Sequence, residues 1–387
     1  RQQEYRVPHS RVPLLPDEVA PALREAAALL PAGDGAGKAV GPLVQALAKG
    51  RKLVVVWGGE DLAVGRALDD LLRAFLAKGE GRTARVLIPG EQANSRGAEA
   101  MGVRPDRLPG HRPVAAGQAG LDTGRMLQAA AAGTLQALYI VGANLAETYP
   151  HGALVQQALE RVPFLVVQDL FLTETAKHAD VVLPAAPFPA KRGTFTNLEG
   201  RLQEIAPSMA AGGESRSDGD IFFALAEAVG KKLVPTRKEF RWEMERLARE
   251  LATDGFVPGA PWPAEGDGRG SGAAAEGGPG LALVAVDRLY GGGGTGRFDP
   301  GFRDLQPKAE AWFHPADAAG LGLAAGDWVT LSAAGDALLL PVRLAQWVAP
   351  GTVQVPWGAP DGAVNRLLAG AGWTRVQVRK RVLEEVG

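Results

Sequence analysis

The 387 residues include no cysteine. That absence excludes disulfides, thiolate-bound zinc, iron–sulfur clusters and a thiol nucleophile built from this chain. Histidine is scarce, at five residues, and none falls in an H-E-x-x-H helix; no serine sits in a G-x-S-x-G elbow. Neither sign of charge dominates: 42 Lys and Arg stand against 43 Asp and Glu. A net charge of -1 removes the field a general nucleic-acid binder needs. Long apolar runs are missing as well. The longest uncharged stretch, Met126 to Ala146, holds Gln128, Gly133, Thr134, Gln136, Gly142 and Asn144, and reads as a helix, a break and a short buried strand. The charged start RQQEYRVPHSR has no apolar region of a secretory signal, and Arg1 is not an initiator, so the sequence reads as a processed or partial chain. An intracellular, soluble protein is expected, although a cysteine-free chain suits an oxidising compartment equally well.

What is present organises itself by hydrophobic period. Asp17–Leu30, Lys38–Lys49 (interrupted by Gly41-Pro42), Leu62–Lys78, Asp122–Ala132 and His151–Arg161 carry helical spacing. Between them lie short apolar runs bounded by charge or glycine: Lys52–Gly58, Ala84–Ile88, Ala137–Val141, Phe164–Gln168 and Asp180–Leu183. Strands buried on both faces read this way, and their alternation with helices predicts an α/β fold with a doubly wound, mostly parallel sheet over residues 1–232. Residues 233–280 read as a charged helix, Glu239–Leu251, and a linker. Nine Gly and four Pro among the 27 residues from Asp254 to Gly280 cannot nucleate a core. Beyond it the period falls to two, at Leu281–Val286, Trp328–Ser332, Leu338–Leu344, Thr352–Val355 and Arg375–Val382. A helix, His314–Leu321, opens with Pro315. Residues 281–387 are expected to close into a β-barrel.

Chemistry is less obvious. Gly291–Gly294 lacks the GK[ST] ending of a phosphate loop, and Gly58-Gly59-Glu60 after the first strand sets an acid where a dinucleotide phosphate would approach. His178 reads as a satisfied structural histidine and His314 as a helix cap, not as ligands. Two segments stand out. In KRGTFTNLEGRLQ, Gly193 and Gly200 bracket hydroxyl and amide residues, with Glu199 and Arg201 close by. Asn197, Glu199 and Arg201 can pin a loop or recognise a polar, planar or anionic ligand, and the residue types leave both readings open. Gly142-Ala143-Asn144 follows a strand, where open α/β sheets present ligand contacts; a glycine turn with a helix-capping Asn is the structural alternative.

Three stretches together resemble the molybdopterin-oxidoreductase superfamily, in its order and over roughly residues 50 to 385. They are ALYIVGAN, then FLTETAKHADVVLPAAPFPAKRGTFTNLEGRLQ, then HPADAAGLGLAAGDWVTL with VAPGTVQVPWG and NRLL. The resemblance implies a C-terminal six-stranded double-psi β-barrel. The KRG…NLEGR form is most similar to the large iron–sulfur subunit of bacterial NADH:quinone oxidoreductase (complex I), whose fold persists mostly without the cofactor. Formate dehydrogenases and nitrate reductases, with molybdenum held by two molybdopterin guanine dinucleotides, are the alternative branch. Carried over, the pterin-side contacts would be Gly142, Asn144, Thr196, Asn197, Glu199 and Asn365, vestigial in the complex I branch. Gly193, Gly200 and Arg201 would shape the loop, which Asn197, Glu199 and Arg201 would fasten between two domains. The resemblance also implies iron–sulfur clusters on an N-terminal portion preceding Arg1, and no cofactor, metal ligand or catalytic residue on this segment. Its partners would be that portion and other subunits of the complex I peripheral arm, on the cytoplasmic face of the inner membrane, with no transmembrane segment of its own.

Overall fold

The computed structural model describes residues 18–231 and 280–381, with 14, 242 and 246, excluding short stretches at 34, 58–61, 88–91, 111, 116, 287–294, 360–362 and 369–373. The expected helix Glu239–Leu251 apart from Trp242 and Arg246, the linker Asp254–Gly280 apart from Gly280, the Gly291–Gly294 run and Glu60 lie outside the described residues. The chain divides into two compact units that do not follow chain order. One joins Met126–Val182 to Gly270–Gly387, and the other joins His9–Arg125 to Leu183–Arg269.

In the second of these, helices α1 (Val19–Leu29), α2 (Gly41–Lys49) and α3 (Leu62–Ala77) enclose a core of Ala26, Leu30, Val44, Leu47, Leu71 and Phe75. Pro42 does not interrupt α2; it sits in the first turn, where a missing N–H costs nothing. The helix ends are closed by cations: Arg82 donates to Leu47 O and Ala48 O, and Lys78 to Leu30 O and Pro31 O. Strands β1 (Lys52–Val56) and β2 (Thr83–Leu87) pair in parallel. Helix α4 (Ser95–Ala100) leads to a turn and the two-residue strands β3 (Arg107–Leu108) and β4 (Arg112–Pro113).

That turn holds an ion cluster. Arg104 donates to Asp106 and Glu99, while Arg107 lies 3.1 Å from Asp106. Burial alone would push the Asp106 carboxyl up, but the hydrogen bond and charge of Arg104 outweigh it and hold the group below its ordinary range. A depressed carboxylate adds stability that is present above its unfolded pKa and lost as pH falls through the lower folded value. Arg104→Gln is therefore expected to move the Asp106 carboxyl titration, read by NMR, back upward.

In the other unit, α5 (Thr123–Ala131) runs into β5 (Leu138–Val141), then α6 (Leu145–Thr148), α7 (Gly152–Arg161) and β6 (Leu165–Asp169). The strand β5 pairs in parallel with β6, and β7 (Val181–Pro184), where the chain passes between units, completes the sheet order β5-β6-β7. The parallel strands predicted from sequence thus fall in two sheets. After β7 come β8 (Gly193–Thr196), β9 (Leu202–Ile205) and α8 (Asp218–Ala228), which starts on a Ser217 cap.

The C-terminal strands are β10 (Leu281–Val286), β11 (Ala311–Phe313), β12 (Trp328–Ala333), β13 (Asp336–Leu344), β14 (Thr352–Pro356) and β15 (Thr374–Arg381). They close a six-stranded barrel in the order β10-β14-β11-β13-β12-β15. Two of its pairings, β10 with β14 and β11 with β13, are parallel and the rest antiparallel. The alternation read from sequence delivers Val329, Leu331, Leu340, Val342, Val353, Val355 and Val376 to the interior, where Phe313 of β11 joins them. His314 caps the short helix Pro315–Gly320, its Nδ1 accepting from Ala316 N.

Candidate functional site

Six residues are candidates for ligand contact, and the structure gathers them at two places. Gly142, Asn144 and Asn365 belong to the unit containing the barrel; Thr196, Asn197 and Glu199 belong to the other.

Gly142 ends β5 in the left-handed region, at φ +61, with its N–H on Gln168 O. A Cβ there would meet nothing within 4 Å, so the turn is open on that side. Asn144, in contrast, is buried and fully engaged. Its Oδ1 accepts from Thr175 N at 3.1 Å and Thr175 Oγ1 at 2.9 Å, and its Nδ2 donates to Glu147 Oε2 at 2.6 Å. Thr175 Oγ1 in turn accepts from Ala146 N. Glu147 also pairs with Arg297 at 2.5 Å, and next to that pair Phe171 and Phe298 stack at 4.2 Å between ring centroids. Thus a segment between barrel strands β10 and β11 grips the helix just after β5.

Asn365 grips the same helix from the barrel side. It is wholly buried in a short 3-10 turn, Val364–Leu367. Its Nδ2 donates to Ala146 O at 3.0 Å and Tyr149 O at 3.3 Å, carbonyls left over at the end of α6. Its own carbonyl accepts from the N–H of His151, which adopts a left-handed φ of +82. The partners fix the amide's orientation, since a flip would set Oδ1 against two carbonyl oxygens. Asn365 Oδ1 is left buried with no hydrogen-bond partner.

The other three candidates sit on the hairpin β8–β9. Asn197 Oδ1 accepts from Glu199 N at 3.0 Å and Arg201 N at 2.9 Å, with Gly200 at φ +81 closing the turn. The N–H of Thr196 donates to Asn94 Oδ1, and Arg96 donates to Leu198 O at 2.6 Å. Asn197 therefore ties the loop to itself, while Glu199 and Arg201 are exposed. His178 closes a 3-10 turn and is exposed. Among the described residues no group of three His, Asp or Glu is placed to hold a metal ion.

Sequence reasoning missed Thr175, Glu147, Arg297 and Asn94, the partners that immobilise these loops. Thr175 lies inside the FLTETAKHADVV stretch that carries the resemblance; the others have no local signal. Taken together, Asn144, Thr196, Asn197 and Asn365 each have polar atoms committed to the fold's own backbone or side chains. Asn144 has both amide atoms engaged within the fold, whereas the partnerless Asn365 Oδ1 remains an acceptor open to a ligand donor.

A parallel α/β region in the same chain as a closed six-stranded barrel with two parallel pairings defines the class: the pterin-dinucleotide type of oxidoreductase fold. Comparison with protein families agrees. Residues 54–228 match the molybdopterin oxidoreductase family and residues 281–378 the molydopterin dinucleotide binding domain. The chain belongs to the molybdopterin-oxidoreductase superfamily.

It is 31% identical over 351 residues to the NADPH-Fe(3+) oxidoreductase subunit alpha of Geobacter sulfurreducens, covering 84% of this chain and 41% of that one. It is 30% identical over 357 residues to an NADH-quinone oxidoreductase subunit of Rhizobium meliloti, covering 84% and 42%. A formate dehydrogenase relative of Staphylococcus haemolyticus is 40% identical, over 153 residues and 35% of this chain. The sequence thus spans about two fifths of the length of the relatives it matches over most of its own length, 41% and 42%. Among the described residues no helix is long and apolar enough to cross a membrane.

Proposed function

We propose that this chain is the redox-silent scaffold portion of a large subunit in a multi-subunit NAD(P)H oxidoreductase, of the NADH:quinone type. In that role it supports electron transfer from NADH to quinone without carrying electrons. The observation that carries this reading is the internal use of candidate ligand atoms: Asn144 spends its amide on Thr175 and Glu147, and Asn197 its Oδ1 on its own turn. The lack of any cysteine for cluster or metal agrees with it. So does the extent of similarity, since the NADH-quinone and NADPH-Fe(3+) relatives match across 84% of the chain. On this reading residues 1–232 and 281–387 are two inherited modules with a linker at 233–280. Gly142, Asn144, Thr196, Asn197, Glu199 and Asn365 are vestiges, and the partners are the peripheral-arm subunits at the cytoplasmic membrane face.

The 40% identity to a formate dehydrogenase over 153 residues favours a second reading, part of a molybdenum bis-pterin enzyme. When bound, that cofactor would supply oxygen-atom or hydride chemistry at the metal. Metal analysis and oxidised-pterin fluorescence of the purified chain separate the two. Neither molybdenum nor pterin is expected; stoichiometric amounts of both would overturn the scaffold reading.

A further inference from the structure

The outer face of the barrel carries a feature that the fold does not need. Cross-strand pairing aligns Pro341, Trp328 and Arg381 in one row, and Leu339, Thr330 and Arg379 in the next. Residues paired across neighbouring strands share a face, so three strands present an apolar column, a central column and a guanidinium column. The burial pattern agrees. Val329, Leu340 and Leu331 point inward, while Trp328 and Leu339 are 36% and 46% exposed and both arginines are exposed. At ordinary strand spacing the six residues cover a rigid area about 10 Å by 7 Å.

The two guanidiniums are not neutralised by the described residues. Among the described residues Asp327 is taken by Lys380 at 2.6 Å, Asp336 by Arg366 at 2.6 Å and Glu310 by Arg343 at 2.8 Å. Among the described residues Arg379 and Arg381 have no ion pair. Two positions apart on one strand, they lie about 7 Å from each other, which is also the distance between alternate side chains of any extended segment.

We propose that this face binds an extended segment of a partner protein with carboxylates at alternate positions, i and i+2, and an apolar side chain over Trp328 and Leu339. Tryptophan and arginine beside an apolar strip are the residue types that concentrate binding energy at protein interfaces. An anionic membrane is disfavoured, because surface attraction of that kind is built from clusters of about 4–8 basic residues, and of those on β15 Lys380 is paired with Asp327 and Arg375 donates to Gly280 O. The proposal does not depend on which redox complex the chain serves.

The test is photo-crosslinking in the protein's native cells, from the full chain carrying p-benzoylphenylalanine in place of Leu339, with the adduct sequenced by mass spectrometry. One protein partner is expected, with Asp or Glu at alternate positions in the captured peptide. Arg379→Glu with Arg381→Glu should cut the yield at least tenfold at an unchanged thermal midpoint, and Lys at the two captured acids should restore it. Arg379→Gln with Arg381→Gln, which removes charge without reversing it, should give an intermediate loss. No adduct, a peptide without paired carboxylates, lipid adducts, binding to phosphatidylglycerol vesicles that the Glu variants abolish, or a yield within twofold after charge reversal would each overturn the proposal.

Discussion

Arg297→Met is expected to destabilise the chain by about 3 kcal/mol, the loss typical when one partner of a part-buried ion pair is removed. The guanidinium is 21% exposed and Glu147 15%, so solvent cannot replace the lost charge fully. Among the described residues Glu147 would retain the Asn144 amide as its side-chain donor. Because Asn144 also holds Thr175, and Thr175 holds Ala146 N, the damage should spread into the turn after β5. Hydrogen exchange should therefore quicken at the Ala146 and Thr175 amides, while those of β12 and β13 stay protected. The double variant Arg297→Met with Glu147→Gln should recover about 1–2 kcal/mol, since no uncompensated charge is left. A guanidinium denaturation midpoint for Arg297→Met indistinguishable from the parent would show that the pair contributes nothing.

The second large effect belongs to Asn365. Asn365→Asp keeps the shape but turns a carboxylate toward Ala146 O and Tyr149 O, both of which need donors. A buried, unpaired charge of this kind costs about 3–5 kcal/mol. Asn365→Ala should cost less, about 2 kcal/mol: two carbonyls lose their donors, but the partnerless Oδ1 disappears as well. The order of the two variants is the informative part. If alanine were the more damaging, the side chain would act chiefly by filling space rather than through its two donors. Equilibrium unfolding of both variants decides it.

The strands were legible because burial writes itself into composition. LALVAV at Leu281–Val286 and RVQVRKR at Arg375–Arg381 announce period and type, and the structure places strands there. FLVVQ, buried on both sides, needs no periodicity to be seen. The hairpin β8–β9 was not legible as strands, since its residues are only half buried and the alternation is blurred. The strand β11, at three residues, is too short to show a period. Division of the parallel strands between two sheets depends on neighbours distant in the chain, which no local window contains. The same reason hid the partners of the candidate site. Asn94 meets Thr196 across 102 residues, and Arg297 meets Glu147 across 150. The resemblance to a cofactor-binding family pointed to the right loops, but only geometry could reveal that their amides face inward.

The strand order of the barrel has a consequence for how the protein is made. The last of the six barrel strands to be synthesised, β15, lies between β12 and β10 and is the piece that joins them. Until it emerges, β10 and β12 each offer an unpaired edge, and the interior around Val329 and Leu283 stays open to water. Closure of the barrel must therefore wait until β15 has been synthesised. A chain cut short before Thr374 would be born with two adhesive edges, and its fate would be decided by chaperones and proteases rather than by a small loss of equilibrium stability.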